Sequence, residues 1–389
     1  MKSVETVDVL IVGSGPSGIS TALHLIQADQ SWKDRIVVVD KAVHPREKLC
    51  GGGITHLGAN VLADLGLPIG TRSFPVREVR LTYQDKAYSF HGNPVFQIVR
   101  RSEFDHWMVR QAEERGVTVR QGERVRSVDP GVDYVEVETD EAIIRAKVLV
   151  AADGSRSFIR SRLKWDDDSR VARLIEVDTP ENPETEPGFV DQVALFDFTH
   201  MTEGLQGYYW DFPSYVNGEP VMNRGVFDSR ARPERPKADL KETIEVSLAE
   251  RDRKLEDYKL KGHPIRWFDR NGKFAMPRVI LVGDAAGVDP LFGEGISFAL
   301  GYGKPAAGAI DDAFARQDFS FSSYRQRVLD DRLLSQLPIR TRLARMAYLL
   351  KYPWLVRLGW RIARIVIGMT RWEDPEFKPA KEPELMMDY

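Results

Sequence analysis

The sequence predicts an α/β chain, α+β overall, in which a parallel-sheet domain is interrupted by an antiparallel one and followed by helices. Three observations carry this. Residues 7–40 read strand, glycine turn, helix, strand. Between about 166 and 270 the pattern shifts to polar-rich segments with aromatic strands such as "VALFDF" and "GYYWDFP". "RVILVGDAAG" (278–287) then returns to a buried strand and a glycine turn.

Each element follows from its local pattern. "VDVLIV" (7–12) is a short β-branched run, as a strand buried on both faces requires. "ISTALHLIQA" spaces its apolar residues helically, and "RIVVVD" (35–40) is a second buried strand ending in an acid. Residues 76–99 read as an extended hairpin turning around "HGNP". "RSEFDHWMVRQAEERG" (101–116) is a helix closed by Gly116, "VTVR" resumes a strand, and "YVEVETD" alternates with period two. "AKVLVAADGS" is an apolar strand running into a turn, and a helix follows the second glycine turn to about residue 312. The first domain is thus expected at 1–70, 100–165 and 270–315, the inserted sheet at 71–99 and 166–269, and a C-terminal helical region with its tail at 316–389. The tail "WEDPEFKPAKEPELMMDY" is Pro- and charge-rich and reads as an irregular strap.

The composition, 42% hydrophobic and 29% charged over 389 residues, is that of a globular chain able to bury a sizeable core. One cysteine cannot form an internal disulfide, which favours a reducing compartment. The N-terminus enters a strand at once, with no signal-peptide pattern, and no stretch reaches the roughly 18 apolar residues of a spanning helix. A cytoplasmic location is expected.

"GSGPSG" places Gly13, Gly15 and Gly18 as GxGxxG between a buried strand and a helix. The first glycine permits the turn, the second the approach of a pyrophosphate, and the third close helix–strand packing. Pro16 and Ser17 lie in the same turn, whose helix start offers free N–H groups to phosphate. Asp40, with Lys41 after it, stands where an acid meets a ribose hydroxyl. The βαβ setting makes this a Rossmann-type dinucleotide site.

Downstream motifs resemble the flavoprotein group that includes para-hydroxybenzoate hydroxylase. "AADGSRS" (151–157) matches its Asp-Gly turn through Asp153, "ILVGDAAG" its second flavin motif through Gly283 and Asp284, and "RSEFDHWM" its arginine-bearing helix start through Arg101. The resemblance implies FAD. A single GxGxxG leaves no separate NADPH domain, so NADPH binding transiently, or ferredoxin, is the expected electron donor.

Within that group three segments resemble the geranylgeranyl reductase family. They are "KLCGGGIT" (48–55, with Cys50, Gly51 and Gly52), "GDAAGVDPLFGEGISFAL" (with Pro290, Gly293, Gly295 and Ile296) and "YYWDFP" (with Tyr208, Trp210, Phe212 and Pro213). The family's Gly-x-Gly after the last motif is not clean here, where Gly218 and Gly225 stand apart. The resemblance covers about residues 5–310 and implies reduction of carbon–carbon double bonds in a prenyl lipid or prenyl diphosphate by reduced FAD. An isolated alkene is a poor hydride acceptor, so the site must hold it tightly beside a proton source. Tyr208, Trp210 and Phe212 share one strand parity, which suits the wall of an apolar pocket or an inter-domain core. Gly293 and Gly295 would let backbone N–H groups approach the anionic edge of reduced flavin, beside the helix start at Ile296. Glu294 is read as pointing to solvent, a salt bridge or the reaction.

Cys50 is the catalytic candidate, as a thiol that delivers or relays a proton, against a small packing residue. His24 is expected to pack or cap, and His56 stays open as an acid–base group. No cluster has metal-ligand spacing. The rival reading is a flavin monooxygenase or halogenase of the same fold. Net charge is −3, yet residues 332–371 carry nine Lys or Arg and no acid. Mixed with Leu, Ile, Tyr and Trp at helical spacing, segment 332–372 reads as a peripheral contact with an anionic membrane, at its inner face, or as a helical pair packed on the core. It contains no nucleic-acid-binding module.

Overall fold

The computed structural model describes residues 2–165, 170–350 and 352–368. The tail after Arg371 and the last part of the basic segment lie outside the described residues.

Two eight-stranded sheets form the molecule. In the first, strand Ser3–Val12 runs parallel to Ile36–Asp40 on one side and to Ala142–Ala151 on the other. Thr118–Gln121 and Val279–Leu281 extend it, also in parallel. Val9 to Val12 and Ile36 to Val39 are buried, as their β-branched, all-apolar sequences require. The antiparallel pair Val125–Pro130 and Val135–Thr139 attaches to Ala142–Ala151. Helix Pro16–Ala28 lies against this sheet, starting with proline at its first turn.

The second sheet is mostly antiparallel and carries the aromatic segment. Strand Gly207–Val216 pairs with Glu219–Asp228, which pairs with Val171–Pro180, which pairs with Lys261–Arg266. The 207–216 strand is buried on both faces through Ser214. One face looks toward the first domain. The other carries Tyr209 into a small separate core with Val226 and with Leu240, Ile244 and Leu248 of helix Leu240–Ala249. Asn217 and Gly218, both at positive φ, make the tight turn between the two strands.

Two sequence expectations shift. The hairpin of Ser73–Tyr83 and Lys86–Val99 turns at Gln84–Asp85, with Gln84 at φ 52°. "HGNP" instead lies inside the second strand, where the register slips opposite Val76 and Glu78. Turn-forming residues here mark a bulge rather than a reversal. Strand Gly53–Thr55, inside the span 1–70 assigned to the first domain, pairs with Lys86–Val99 in the second sheet. The glycine run therefore crosses from one sheet to the other.

Candidate active site

A single cavity of about 1230 Å³ runs from the first glycine turn to the aromatic strand. It exceeds the roughly 300–1,000 Å³ of an ordinary small-molecule pocket. Gly13, Gly15, Pro16, Ser17, Asp40, Lys41, Cys50, Gly51, Gly52, Arg101, Asp153, Asp284, Gly293, Gly295 and Ile296 all line it. Tyr208, Trp210 and Phe212 line the same space, as their shared parity predicts. Pro213 does not; the pleat turns it the other way, toward Gly188 and Met222. Gly18, Gly283 and Pro290 also lie behind the wall.

The three glycines of the first turn divide their work as the motif requires. Gly13 has φ +110°. A Cβ on Gly18 would stand 2.0 Å from the Gly13 carbonyl oxygen, so this glycine serves packing. Gly15 faces the cavity, where a Cβ would meet only Arg46 Nη2, at 3.7 Å. No side chain caps the helix that begins at Pro16, so its N–H groups face the cavity without a protein acceptor from a cap. The Asp40 carboxylate accepts from Ser14 N–H at 2.8 Å, Ser14 Oγ at 2.9 Å and Ala42 N–H at 2.9 Å.

Cations gather beside this turn. Arg101 grips the fully buried Asp105 with two hydrogen bonds, 2.8 and 2.9 Å, and Arg46 reaches the same carboxylate at 3.1 Å. Burial alone would raise the Asp105 pKa, but the Arg101 guanidinium outweighs it and holds the carboxyl below the ordinary range. Lys48 Nζ lies 2.5 Å from His263 Nε2. Burial, countered in part by Asp284, lowers the Lys48 pKa to about 8; burial and the adjacent Lys48 lower that of His263 to about 4. A charged lysine thus donates to a neutral imidazole. Sequence reading missed Arg46, Lys48 and His263. The only local signal was the basic "REK" before the cysteine, and nothing marked a histidine 215 residues away.

The fit to FAD rests on these features. Free helix N–H groups and the Arg46, Lys48 and Arg101 cations suit a pyrophosphate. Asp40 and Asp284 offer acceptors for ribose and ribityl hydroxyls. Asp284 accepts from Ser155 Oγ at 3.0 Å. Asp153 accepts from Ile159 N–H at 3.0 Å, and its buried Oδ1 has no partner among the described residues.

On the loop that packs against the aromatic strand, Cys50 is half-buried and accepts from Gly52 N–H through its sulfur at 3.4 Å. The loop lies so close on the aromatic strand that a Cβ on Gly51 would stand 2.9 Å from Phe212. Gly225, isolated in sequence, makes room for Trp210, whose indole would meet its Cβ at 2.3 Å. Trp210 Nε1 donates to Asn223 Oδ1 at 2.8 Å, and Phe227 packs 5.4 Å from Tyr208 between ring centroids. Phe96, Phe196 and Phe292 complete the apolar wall.

Glu294 takes the salt-bridge option. Thr55 Oγ1 donates to it at 2.6 Å, and Arg340 bridges it, at 3.0 Å, to the buried Asp289 at 2.9 Å. His24 is buried with Nδ1 2.8 Å from the Ser20 carbonyl oxygen, a packing role as expected. His56 lines the cavity.

A model described as "FAD binding domain" matches residues 6–300. The chain belongs to that family. It is an FAD-dependent oxidoreductase by family and by relatives. A menaquinone reductase of Mycobacterium tuberculosis is 26% identical, over 79% of this chain and 77% of its own. A digeranylgeranylglycerophospholipid reductase of Methanosphaera stadtmanae is 26% identical, over 84% and 82%. Among solved structures, a geranylgeranyl bacteriochlorophyll reductase-like protein of Thermoplasma acidophilum shares the fold with TM-score 0.72 at 20% identity, over 91% and 90% of the two chains. The halogenase PltM shares it with TM-score 0.67 at 17% identity, over 88% and 76%. The flavoprotein fold is therefore common to reductive and oxidative chemistries.

Proposed function

We propose that this chain reduces carbon–carbon double bonds in a prenyl lipid, with hydride from reduced FAD. The observation that carries the reading is one cavity joining the dinucleotide end to an aromatic chamber, with Cys50 at the junction. FAD, when bound, supplies the hydride. The chain's own residues then have three tasks. Arg46, Lys48, Arg101 and the first glycine turn hold the dinucleotide. Tyr208, Trp210, Phe212 and the surrounding phenylalanines exclude water and hold an apolar chain. Cys50 is the proton donor. NADPH or ferredoxin is the proposed reductant, and the names of the two relatives above support a prenyl-bearing lipid as substrate.

Anaerobic turnover tests this against the oxidative rival. Pre-reduced protein mixed with a geranylgeranyl lipid is expected to yield saturated product without oxygen, read by mass spectrometry. A strict requirement for oxygen would establish a monooxygenase or halogenase instead. In the same assay Cys50→Ala is expected to retain FAD and to slow alkene reduction about 100-fold, the lower end for loss of a general acid. An unchanged single-turnover rate would remove Cys50 from the chemistry.

The lipid is proposed to be collected from an anionic bilayer. No helix among the described residues is long and apolar enough to cross a membrane. Helix Leu337–Ala347 turns Arg340 to the cavity, beside Gln336 just before its start, while Ile339, Leu343 and Met346 are exposed at i, i+4, i+7 spacing. The next helix, Pro353–Gly368, exposes Trp354, Leu358 and Ile362. Exposed Arg342, Arg345 and Arg361 accompany these stripes. Apolar groups with arginine and tryptophan suit insertion into an anionic interface. Vesicles containing phosphatidylglycerol are expected to sediment the protein at low salt, with binding weakened by Leu343→Asp and Trp354→Asp together. No co-sedimentation at low salt would sink the membrane contact.

A further inference from the structure

Glu176 is a buried carboxyl that none of the roles above uses. It lies on strand Val171–Pro180, is 3% exposed, and its Oε2 has no hydrogen-bond partner among the described residues. Register puts Trp210 opposite Gly225, and Gly225 opposite Glu176, so the three share one line across the sheet. Gly225 has no side chain to separate the indole from the glutamate. The same face meets the glycine-run loop, where the Cys50 backbone N–H faces the Glu176 carboxyl and favours its ionised form. That N–H is separated from the thiol sulfur only by Cα and Cβ. A sole cysteine carries no inference by itself; a buried carboxyl against its backbone, with one oxygen left without a partner among the described residues, is a second and independent observation.

A carboxylate held away from water without a full set of donors is costly, and the protonated acid relieves that cost. Burial, reinforced by Asp178, pushes the Glu176 pKa up to about 7. The facing groups are mixed: Asp178 on its own strand, Arg100 before helix Arg101–Glu114, Lys261 directly across on the neighbouring strand, and His263 with Lys48 two pairs further along. Arg100 and Lys261 are drawn to Asp178, at 3.2 and 3.7 Å, rather than to Glu176.

We infer that Glu176 is the proton store that recharges Cys50 between turnovers. The inference rests on the alkene-reductase reading. In the balanced step, bound reduced FAD would supply a hydride to one alkene carbon, and the Cys50 thiol gives its proton to the other. The Cys50 thiolate then takes the Glu176 carboxyl proton, and the Glu176 carboxylate regains one from solvent. Glu176 touches no substrate in this scheme and acts as a positioning and supply residue through Cys50.

Cys50 is the only thiol in the chain, so its alkylation reports on this coupling without any substrate. FAD-loaded protein is treated with iodoacetamide from pH 5.5 to 9 and the rate is read by intact mass. The native chain is expected to show an inflection near neutral pH besides that of the thiol itself. Glu176→Gln keeps size and a hydrogen-bond acceptor but carries no transferable proton; it is expected to erase the neutral inflection while FAD affinity stays within about twofold. In anaerobic turnover the same variant should complete its first alkene reduction at the native rate and lose at least about tenfold in steady state. Infrared spectra of carboxyl-labelled native protein should show a protonated glutamate below pH 7, a readout independent of any variant's folding. An alkylation profile superimposable on the native one, or no protonated glutamate, overturns the proton store whatever the reduction assay gives. Failure of the native chain to reduce any prenyl alkene would sink the reductase reading instead.

Discussion

Replacing Gly15 with valine is expected to give a folded protein that does not retain FAD. The backbone there has φ −73°, a value any residue adopts, and a Cβ would find no protein atom nearer than Arg46 Nη2. The added methyl groups would instead stand over the uncapped start of helix Pro16–Ala28, in the space a pyrophosphate needs. Affinity should fall at least about 100-fold, close to 3 kcal/mol, with little change in thermal stability. Gly18→Ala supplies the contrast. Its Cβ would press on the Gly13 carbonyl oxygen with no room to move, so it should destabilise the fold and lower FAD content only as a consequence. Thermal melts of the apo-proteins alongside flavin fluorescence titrations separate the two. A Gly15→Val protein that binds FAD as tightly as the native chain would remove the dinucleotide from this turn.

The contrast between these glycines marks what was legible in sequence. A turn that needs positive φ, or a close approach of backbone, constrains residue type within a few positions, so Gly13, Gly15, Gly18 and the 283–284 turn could be read directly. Strand parity likewise fixed Tyr208, Trp210 and Phe212 on one face, and the same rule should have excluded Pro213. What could not be read was pairing across long separations. Lys48 meets His263, Arg340 meets Asp289, and Glu176 meets the Cys50 backbone only because segments far apart in the chain converge in the fold. Each partner alone is an ordinary charged residue in an ordinary element. The misplaced hairpin turn has a similar origin. "HGNP" has turn chemistry, but the long pairing of Ser73–Tyr83 with Lys86–Val99 absorbs it as a register slip.

This convergence also explains why the C-terminal helices belong to the site. Asp289 and Glu294 belong to the loop that lines the cavity, and Asp289, fully buried, could not remain a carboxylate without a counter-charge. Arg340 supplies it from helix Leu337–Ala347, and Tyr348 at that helix's end donates to the Leu291 carbonyl oxygen at 2.7 Å. The helix whose outer face is proposed to meet lipid is thus pinned to the loop expected beside the flavin.

Arg340→Met should accordingly be among the most destabilising single changes in the chain. Asp289 is fully buried, and its other acceptor bonds, from Leu291 N–H at 2.8 Å and Phe292 N–H at 3.2 Å, do not replace a full charge. Breaking a buried ion pair by removing one partner costs about 3–5 kcal/mol, and the lower end applies because Arg340 keeps some contact with water. The loss should depend on pH with a definite sign. Burial already raises the Asp289 pKa in the native chain, the Arg340 charge opposing it, so removal of that charge raises it further. A carboxyl with a raised folded-state pKa binds its proton more tightly in the folded state, so its penalty appears as pH climbs through that pKa. Arg340→Met should therefore lie closer to the native stability at pH 5 than at pH 8. Adding Asp289→Asn should restore most of the loss at pH 8, since a neutral amide needs no counter-charge. Urea unfolding of the native, single and double variants at both pH values measures this. Equal destabilisation at pH 5 and pH 8, unrelieved by the asparagine, would mean that Arg340 acts through packing and not through the buried acid.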